Sequence, residues 1–302
     1  MTGPQEHPPG TPGKPVASGP GRRPDTAEVA AVFDRVAPGY DKAALRLFPF
    51  CADLMASWLR PRPGSRILDV ATGTGALALS LAQMLGGRGR VHGIDLSAGM
   101  LARAAEHARR MGLDNLDLHH MDAQRLEFRS GYFDAVTCSF GLFFLPDMGA
   151  ALRSWLRVLK PGGTLMFSTF AEGAFSPLAD RLLEALAQRG VEGARRPPLW
   201  MALARPGAAR ALLEEAGAVE IEVRERQIGY HLSPVDEWWE LVWNSGWRGL
   251  LESLPRRELE ALRLDHLREL DGEAGERGLW LNVPVRIFRA RRPRTAEAPV
   301  RA

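Results

Sequence analysis

The sequence predicts an α/β fold, in which helices cover both faces of a mostly parallel sheet. Two observations indicate this class. Short apolar runs alternate with helix-period segments between residues 66 and 169, and a glycine-rich turn joins the first run to the first of these helices. The chain of 302 residues, 45% apolar and 25% charged, has an ordinary globular composition and is long enough to bury a large core.

Charge and cysteine content exclude several classes of protein. The formal net charge is only +3 and the basic residues are scattered, so we expect no nucleic-acid partner. Cys51 and Cys138 lie far apart and form no CxxC pair, which predicts neither a metal site nor a disulfide framework and favours a cytoplasmic location. No run of about 18 apolar residues occurs, so we expect no membrane span.

The amino-terminal region divides into a tail and a helical segment. Residues 1–25 are rich in proline and glycine and lack the apolar core of a secretory signal, which predicts a disordered tail. Residues 26–60 are predicted to form two helices, at 27–36 and 42–59, separated by the helix-breaking pair Pro38-Gly39.

Residues 61–171 are predicted to hold the ligand-binding core of the sheet. Its five apolar runs, taken as strands, are 66–70, 91–95, 116–119, 133–138 and 164–169. A helix with apolar residues on one face precedes the fifth run, and Pro161-Gly162-Gly163 is predicted to end that helix with a turn into the strand.

The last third predicts two further strands and two insertions. Residues 205–229 carry a helix and a sixth strand, in which Val219, Ile221 and Val223 alternate with charged residues, and residues 281–302 carry the last strand and a tail. The segments 172–204 and 230–280 are predicted to be lid insertions that cover the carboxyl edge of the sheet, where open α/β sheets bind ligands.

The second lid segment, residues 230–280, is mostly helical in period and rich in tryptophan. Trp239, Trp243 and Trp247 recur at i, i+4 and i+8, and Trp238 lies beside them. Two interpretations stay open: a helix face packed into the lid's own core, or an aromatic wall for a flat acceptor or a cation.

Three strand ends predict an adenosine site. Residues 69–75, Asp-Val-Ala-Thr-Gly-Thr-Gly, form a turn whose glycines admit a ligand close to the backbone and to free helix N–H groups. Asp95 ends the second strand, where a carboxylate can accept both ribose hydroxyls. Asp122 follows the third strand and can accept from an adenine amino group, while Met121 lies against the ring.

Across these segments the chain resembles the class I methyltransferases that depend on S-adenosyl-L-methionine (SAM), and within them the ubiquinone/menaquinone-biosynthesis C-methyltransferase type. The resemblance covers about residues 32–170, close to half of the chain. The motifs that carry it are VFDRVAPGYD at 32–41, DVATGTG at 69–75, GIDLS at 93–97, FDAVTCSFGL at 133–142 and LRVLKPGG at 156–163.

The resemblance implies a Rossmann-like class I methyltransferase fold, with a seven-stranded sheet whose last strand runs antiparallel. It implies SAM as the cofactor and S-adenosyl-L-homocysteine as its product. The residues that it places at the cofactor are Tyr40, Ala71, Thr72, Gly73, Asp95, Leu96, Met100, Met121, Asp122, Ala123 and Ser139. Tyr40 is expected to fold over the methionine end, and Ser139 to face both the cofactor and the acceptor.

After Phe170 the likeness fades, and the tryptophan-bearing lid resembles the variable lids of methyltransferases that tailor natural products. We therefore predict methyl transfer to a carbon or oxygen of a small, largely apolar metabolite of natural-product, isoprenoid or quinone-like type. The expected partner is this small-molecule acceptor, and the protein is expected to be a monomer or a homodimer.

His231 is the predicted catalytic base, because histidine titrates near neutral pH and this residue leads from the sixth strand into the lid. A partly exposed histidine at a strand end is the competing interpretation. Other candidate bases are His119, His120, Glu172 and Tyr40. Cys138 lies in an apolar strand, which favours a buried structural thiol over the nucleophilic cysteine of RNA 5-methylcytosine enzymes.

Three alternative functions stay open. The first is a methyltransferase-like protein that retains SAM and catalyses a cyclisation or rearrangement. The second, a nucleic-acid or protein methyltransferase, is disfavoured because residues 139–142 lack the Asp/Asn-Pro-Pro-Tyr type of signature used on flipped bases. The third, a nicotinamide dehydrogenase, ranks last because Ala78 replaces the third glycine of the dinucleotide fingerprint.

Overall fold

A twisted sheet and a short separate ribbon hold all the strands of the computed structural model, which describes residues 25–205 and 207–294. In chain order the strands are β1 (Arg66–Val70), β2 (Arg90–Asp95), β3 (Leu116–His120), β4 (Phe133–Ser139), β5 (Leu159–Phe170), β6 (Val219–Gln227), β7 (Tyr230–Leu232), β8 (Leu279–Leu281) and β9 (Pro284–Arg291).

The main sheet has seven strands in the order β3-β2-β1-β4-β5-β9-β6, and β7 pairs with β8 in the ribbon. Strands β1 to β5 pair in parallel, whereas β9 runs antiparallel to both of its neighbours, β5 and β6. This topology confirms the predicted class I fold with an antiparallel last strand. Because β1, β2 and β4 are adjacent and parallel, their carboxyl ends meet at one edge of the sheet.

The helices fall into two groups around the sheet. In chain order they are α1 (Thr26–Val36), α2 (Leu47–Leu59), α3 (Ala76–Leu85), α4 (Ala98–Arg110), α5 (Met148–Val158), α6 (Leu178–Gln188), α7 (Met201–Ala204), α8 (Ala208–Glu215), α9 (Asp236–Trp243), α10 (Arg248–Leu251) and α11 (Arg256–Asp271). Helix α3 contacts α2 and α4, whereas α5 contacts α8. Short 3₁₀ turns connect several of them.

The sequence sets where three of these helices begin. Asp25 and Glu28 form a capping box at the start of α1, and the side chains of Ser97 and Asp147 accept backbone N–H groups at the starts of α4 and α5. These caps satisfy N–H groups that have no partner within the helix. The start of α4 therefore follows Asp95 by a defined turn, which places that carboxylate beside the helix terminus.

The core fills the space between the sheet and both helix groups. Trp155, Phe133 and Phe167 are fully buried in it, and Trp155 lies on the apolar face that the sequence predicts for α5. Side chains of this size in close-packed surroundings bury the largest apolar areas and hold the strands in register.

Two strand predictions are corrected by the structure. β5 already starts at Leu159, so the turn at Gly162, whose φ is +74°, lies within the strand and not before it. In β6 the expected alternation fails, because the register shifts after Val219 and both Val219 and Val223 are exposed at the sheet edge.

Two helix predictions are also corrected. The helix expected at 42–59 is divided into a 3₁₀ turn at Ala43–Leu45 and α2. Trp239, Trp243 and Trp247 do not share one helix, because α9 ends at Trp243 and Trp247 precedes α10. The 230–280 segment also contains the β7–β8 ribbon, which periodicity did not indicate because each strand has only three residues.

Two further observations concern the described residues alone. Among them, no helix combines the length and the apolar character that a membrane crossing requires. Residues 25–205 and 207–294 hold no cluster of three or more His, Cys, Asp or Glu side chains arranged to bind a metal ion. The predicted tail at residues 1–25 lies outside the described residues except for Asp25.

Candidate active site

The glycine turn after β1 has the backbone that the sequence predicts for a ligand-binding loop. Ala71, Gly73 and Gly75 all adopt positive φ angles, of +52°, +57° and +90°. No atom lies within 4 Å of the position that a Cβ on Gly73 would occupy, so this glycine faces open space. A left-handed alanine stores backbone strain, which is typical of functional loops.

Asp69 holds the turn from inside the core. Its carboxylate accepts the hydroxyls of Thr72 and Thr137, each at 2.7 Å, and the residue is 1% exposed. Burial raises the pKa of Asp69 to about 6, although the hydroxyls of Thr137 and Thr72 partly oppose that rise. Asp69 therefore shapes the loop from within the core, whereas Asp95 is partly exposed.

Asp95, at the end of β2, reaches the same turn. One carboxylate oxygen accepts the Gly73 N–H at 2.8 Å, and the other accepts the Ser97 N–H at 2.9 Å. Burial raises the pKa of Asp95, against the opposing effect of these N–H donors. Each oxygen keeps a further lone pair, so the carboxylate can still accept the two hydroxyls of a ribose.

The loop after β3 carries the predicted adenine-side residues. Asp122 accepts the Gln124 N–H at 2.8 Å within its own turn, and the Ala123 carbonyl accepts the indole N–H of Trp155 at 2.9 Å. His120 Nε2 lies 2.9 Å from the Leu96 carbonyl oxygen, which joins this loop to the turn after β2. The predicted residues on these two strand ends are thus held side by side.

A cavity of about 280 Å³ lies between the glycine turn and the segment before α2. Five predicted cofactor residues line it: Tyr40, Ala71, Thr72, Gly73 and Ser139. The structure therefore brings together residues from the amino-terminal segment, the first strand end and the fourth strand end.

Met100 has a different environment from the other predicted cofactor residues. Its side chain is 1% exposed and packs with Val36 and Ala37 in a small apolar cluster under α1. This contact fixes α4 against the amino-terminal helix and so supports the site from below.

Tyr40 lies over the cavity with its ring stacked on Phe48, at a centroid distance of 4.9 Å. Burial, together with the nearby carboxylates of Asp95 and Asp41, raises the pKa of its phenol above the ordinary value. The phenol therefore stays protonated near neutral pH, so it can donate a hydrogen bond but is a poor base.

The end of β4 forms a polar floor in apolar surroundings. The hydroxyl oxygens of Ser139 and Ser168 lie 3.3 Å apart, and Ser168 also accepts the N–H of Phe140, whose φ is +55°. Burial raises the pKa of the Cys51 thiol beside these serines to about 12, and burial also raises the pKa of Cys138. Both thiols therefore stay protonated and have the environment of structural cysteines.

A continuous row of aromatic rings leads from this floor to the lid, and we call it the aromatic row. Its neighbouring rings have centroid separations between 4.3 and 6.2 Å. Its members are Phe48, Phe140, Phe170, Phe175, Trp200 and Trp247. Trp238 takes no part in it, because its indole N–H donates to His266 inside the lid. The four lid tryptophans therefore do not share one role.

The candidate bases lie apart from one another. His231 is in β7 with its ring against Trp280, at a centroid distance of 5.1 Å, and it does not line the described cavity. His119 lies on β3 with its ring 3.1 Å from His92, and Glu172 is exposed after β5.

Sequence reasoning missed four ionisable residues that line the cavity: Asp41, Lys42, Arg46 and His107. Asp41 stands next to Tyr40 in a motif that the sequence already indicates, but its partners on α4 are 62 and 66 residues away. The i, i+4 spacing of Arg103 and His107 was the available signal, because it places both side chains on one face of α4.

Comparison with known proteins identifies the family to which the chain belongs. A family model described as the ubiE/COQ5 methyltransferase family matches residues 22–181, more than half of the chain. Aklanonic acid methyltransferase DauC of Streptomyces sp. is 32% identical over 57% of this chain and 79% of its own length. Nocamycin O-methyltransferase of Saccharothrix syringae is 28% identical over 84% of this chain and 95% of its own.

The ubiquinone/menaquinone biosynthesis C-methyltransferase UbiE of Serratia proteamaculans is 38% identical, over 51% of this chain and 63% of its own length. Among solved structures, phosphoethanolamine N-methyltransferase 2 of Haemonchus contortus, in complex with SAM, has a TM-score of 0.51 at 22% identity, over 81% of this chain and 52% of that chain. The cyclase SpnF has a TM-score of 0.54 at 22% identity, over 88% of this chain and 93% of that chain.

At these identities the two solved structures show the fold alone. The family model goes further, because the residues that it matches include the glycine turn, Asp95 and the β4 end, and the 32% identical relative is covered over 79% of its own length. The chain therefore belongs to the ubiE/COQ5 methyltransferase family and is a SAM-dependent methyltransferase with the Rossmann-like class I fold.

Proposed function

We propose that this protein transfers the methyl group of SAM to a carbon or oxygen atom of a small, largely apolar metabolite of natural-product, isoprenoid or quinone-like type. The observation that carries the proposal is the aromatic row, which begins at the cofactor cavity and ends at Trp200 and Trp247 in the lid segments. Stacked and edge-on rings of this kind suit a flat acceptor that is mostly apolar.

The residues present fit the proposed cofactor. No atom lies within 4 Å of the position of a Cβ on Gly73, and Gly73 lines the cavity, so a ligand can approach the backbone of the turn there. Ala71, Thr72 and Gly73 would hold the methionine part, Asp95 the ribose, and the 121–123 loop the adenine. SAM supplies a methyl group that is already activated by a sulfonium cation.

The protein's own part in the reaction is orientation and exclusion of water. Tyr40 and Phe48 cover the cavity, and the polar floor at Ser139 offers one hydroxyl in otherwise apolar surroundings. Fixing an acceptor in line with the methyl group supplies several kcal/mol of the barrier reduction, roughly 7 or more in favourable intramolecular models. An acceptor with a single oxygen near Ser139 would match this arrangement.

The names of the relatives support a small acceptor. They refer to aklanonic acid, to nocamycin and to ubiquinone/menaquinone biosynthesis, and include both an O-methyltransferase and a C-methyltransferase. The acceptor atom in this chain is therefore proposed as carbon or oxygen.

His231 stays the proposed base for acceptors that must lose a proton. Its backbone carbonyl accepts from Arg46 at 2.7 Å, which ties β7 to the segment over the cavity. From its place beside Trp280, the ring would serve only an acceptor that extends as far as the ribbon. Replacing His231 with alanine should then lower kcat while leaving the affinity for S-adenosylhomocysteine unchanged.

The test of the main proposal is an assay with methyl-labelled SAM. The purified protein would be incubated with aromatic polyketide acids, quinols and prenylated phenols, and both labelled product and S-adenosylhomocysteine would be quantified. We expect equal amounts of the two with at least one acceptor. Turnover of an acceptor without S-adenosylhomocysteine would instead establish cyclisation or rearrangement with retained SAM, the alternative function.

The remaining parts of the proposal concern partners and location. We propose that the acceptor is the partner, that nucleic acid is not, and that the protein works in the cytoplasm as a monomer or a homodimer. The low net charge of +3 supports the exclusion of nucleic acid. Light scattering would give the oligomeric state, and salt-sensitive RNA binding would overturn the exclusion of nucleic acid.

A further inference from the structure

Residues 40–46, which we call the cofactor strap, line the cavity opposite the glycine turn. The strap is fastened to α4 through Asp41. Its carboxylate accepts from Arg103 Nη2 at 3.0 Å and from Arg103 Nε at 3.3 Å, and it lies 3.4 Å from His107 Nε2. Because Arg103 and His107 are one helical turn apart, both side chains face the strap.

The second ring nitrogen of His107 faces the glycine turn. His107 Nδ1 lies 3.2 Å from the carbonyl oxygen of Thr74. A backbone carbonyl and an ionised carboxylate can only accept hydrogen bonds, so a neutral imidazole, which has one N–H, can serve only one of them. Only the imidazolium can donate to the Thr74 carbonyl and at the same time form an ion pair with Asp41, whose carboxylate lies 3.4 Å away.

The charged surroundings of His107 comprise the strap and its own helix. Asp41 faces it from the strap, and Arg103 and Glu106 lie beside it on α4, where Arg103 also pairs with Glu106 at 2.8 Å. From the glycine turn only the uncharged Thr74 carbonyl faces the ring among the described contacts. Lys42 and Arg46 of the strap line the same cavity as His107, and Arg110 pairs with Glu106 on α4, so charges of both signs surround the ring.

We propose that protonated His107 is a positioning residue that ties the cofactor strap to the glycine turn and thereby sets the affinity for the cofactor. The proposal rests on the cofactor site proposed above. When the ring loses a proton it loses one of its two donors, so the strap is held by fewer contacts and the closed site is less populated. Proton binding and cofactor binding are therefore linked, and each strengthens the other.

The experiment is titration calorimetry with S-adenosylhomocysteine, at about pH 6 and about pH 8.5, on either side of the usual histidine range. The proteins are the full-length wild type, His107→Ala and His107→Gln. Arg109→Ala is the matched control, because Arg109 is exposed two residues further along α4 and its side chain donates a hydrogen bond to the Ala105 carbonyl of the same helix.

We expect the wild type to bind about three- to tenfold more weakly at the higher pH, the effect of one hydrogen bond. His107→Ala should bind weakly at both pH values, without that dependence. His107→Gln should recover part of the affinity, because its amide carries two N–H donors, and its affinity should not vary with pH. Arg109→Ala should bind S-adenosylhomocysteine with the affinity of the wild type at both pH values.

The outcomes separate the two proposals. Failure of the wild type to bind S-adenosylhomocysteine would overturn the proposed cofactor site. If the wild type binds S-adenosylhomocysteine, and His107→Ala binds it with the same affinity and the same pH dependence, the positioning role of His107 is overturned and the cofactor site is not. Thermal unfolding of each variant establishes that it is folded, and His107→Gln supplies the comparison if the alanine variant is not.

Discussion

At the scale of single residues, two neighbouring carboxylates at the sheet edge have different tasks. Asp69 is enclosed by threonine hydroxyls and belongs to the core, whereas Asp95 binds the backbone of the glycine turn and keeps lone pairs for a ligand. The sequence places both at strand ends, and only the structure distinguishes them. The difference arises because Thr137 lies beside Asp69 on the adjacent strand β4.

Replacing Asp95 with alanine should weaken binding of S-adenosylhomocysteine by about 3 kcal/mol, roughly a hundredfold, because hydrogen bonds to a charged group are lost. Calorimetry would measure the change. The matched control is Asp117→Ala, since Asp117 pairs with Arg90 near the amino ends of β3 and β2, whereas Asp95 lies at the carboxyl end of β2. Unchanged affinity in Asp95→Ala would show that the carboxylate does not hold the nucleoside.

Replacing Asp69 with asparagine should remove a pH dependence of stability. The pKa of Asp69 is raised from 3.8 to about 6 in the folded protein, so between these values the folded state binds more protons than the unfolded state. The unfolding free energy of the wild type should therefore fall as pH rises from about 4 to about 6, by up to roughly 3 kcal/mol.

Chemical denaturation at several pH values, without cofactor, measures how the unfolding free energy depends on pH. The difference in unfolding free energy between wild type and Asp69→Asn should decline over that window and be constant above it. Parallel curves throughout would contradict a raised pKa for Asp69.

At the scale of elements, the cofactor strap joins parts of the chain that are far apart in sequence. On its lid side, the Tyr230 hydroxyl donates to the Ala44 carbonyl at 2.6 Å, and Arg46 pairs with Glu237 at 3.2 Å and covers the Tyr230 ring. The strap is thus fastened to the lid as well as to α4. Helix periodicity carries no information on such contacts, because they depend on which elements pack together.

Replacing Tyr230 with phenylalanine should lower the unfolding free energy by about 1 kcal/mol, because the buried Ala44 carbonyl loses its donor. The looser strap should also weaken S-adenosylhomocysteine binding several-fold. Denaturant titration and calorimetry would measure the two effects. Tyr132→Phe is the control, since the Tyr132 ring packs with Arg66 and Arg129 and does not line the described cavity. If both substitutions had equal effects, the proposed role of Tyr230 would be contradicted.

Replacing Gly141 with alanine should disturb the glycine turn from the neighbouring strand. A Cβ at Gly141 would lie 2.6 Å from the Cβ of Ala71 and 2.8 Å from the sulfur of Cys138, so the turn must shift. We expect a loss of about 1–3 kcal/mol in unfolding free energy, and weaker cofactor binding. Gly87→Ala is the control and should show neither effect, because no atom lies within 4 Å of the added Cβ. If Gly141→Ala left both the unfolding free energy and the cofactor affinity unchanged, this packing would be contradicted.

At the scale of the whole molecule, ligand binding should stabilise the fold selectively. At a hundredfold excess over its dissociation constant, S-adenosylhomocysteine should add about 2.7 kcal/mol and raise the unfolding midpoint by roughly 5 °C. NAD at the same concentration should cause no shift, because the third glycine of the dinucleotide fingerprint is absent at Ala78. A larger shift with NAD would contradict the cofactor assignment.

The sequence by itself determined the parallel sheet, the glycine turn and the carboxylate of Asp95, because alternation, turn glycines and strand-end acids are local signals. Only the tertiary structure decided the bulged edge at β6, the position of β9 between β5 and β6, the β7–β8 ribbon and the meeting of Asp41 with Arg103 and His107. Each of these depends on which distant elements pack together, and contacts between residues far apart in the chain leave no periodic pattern.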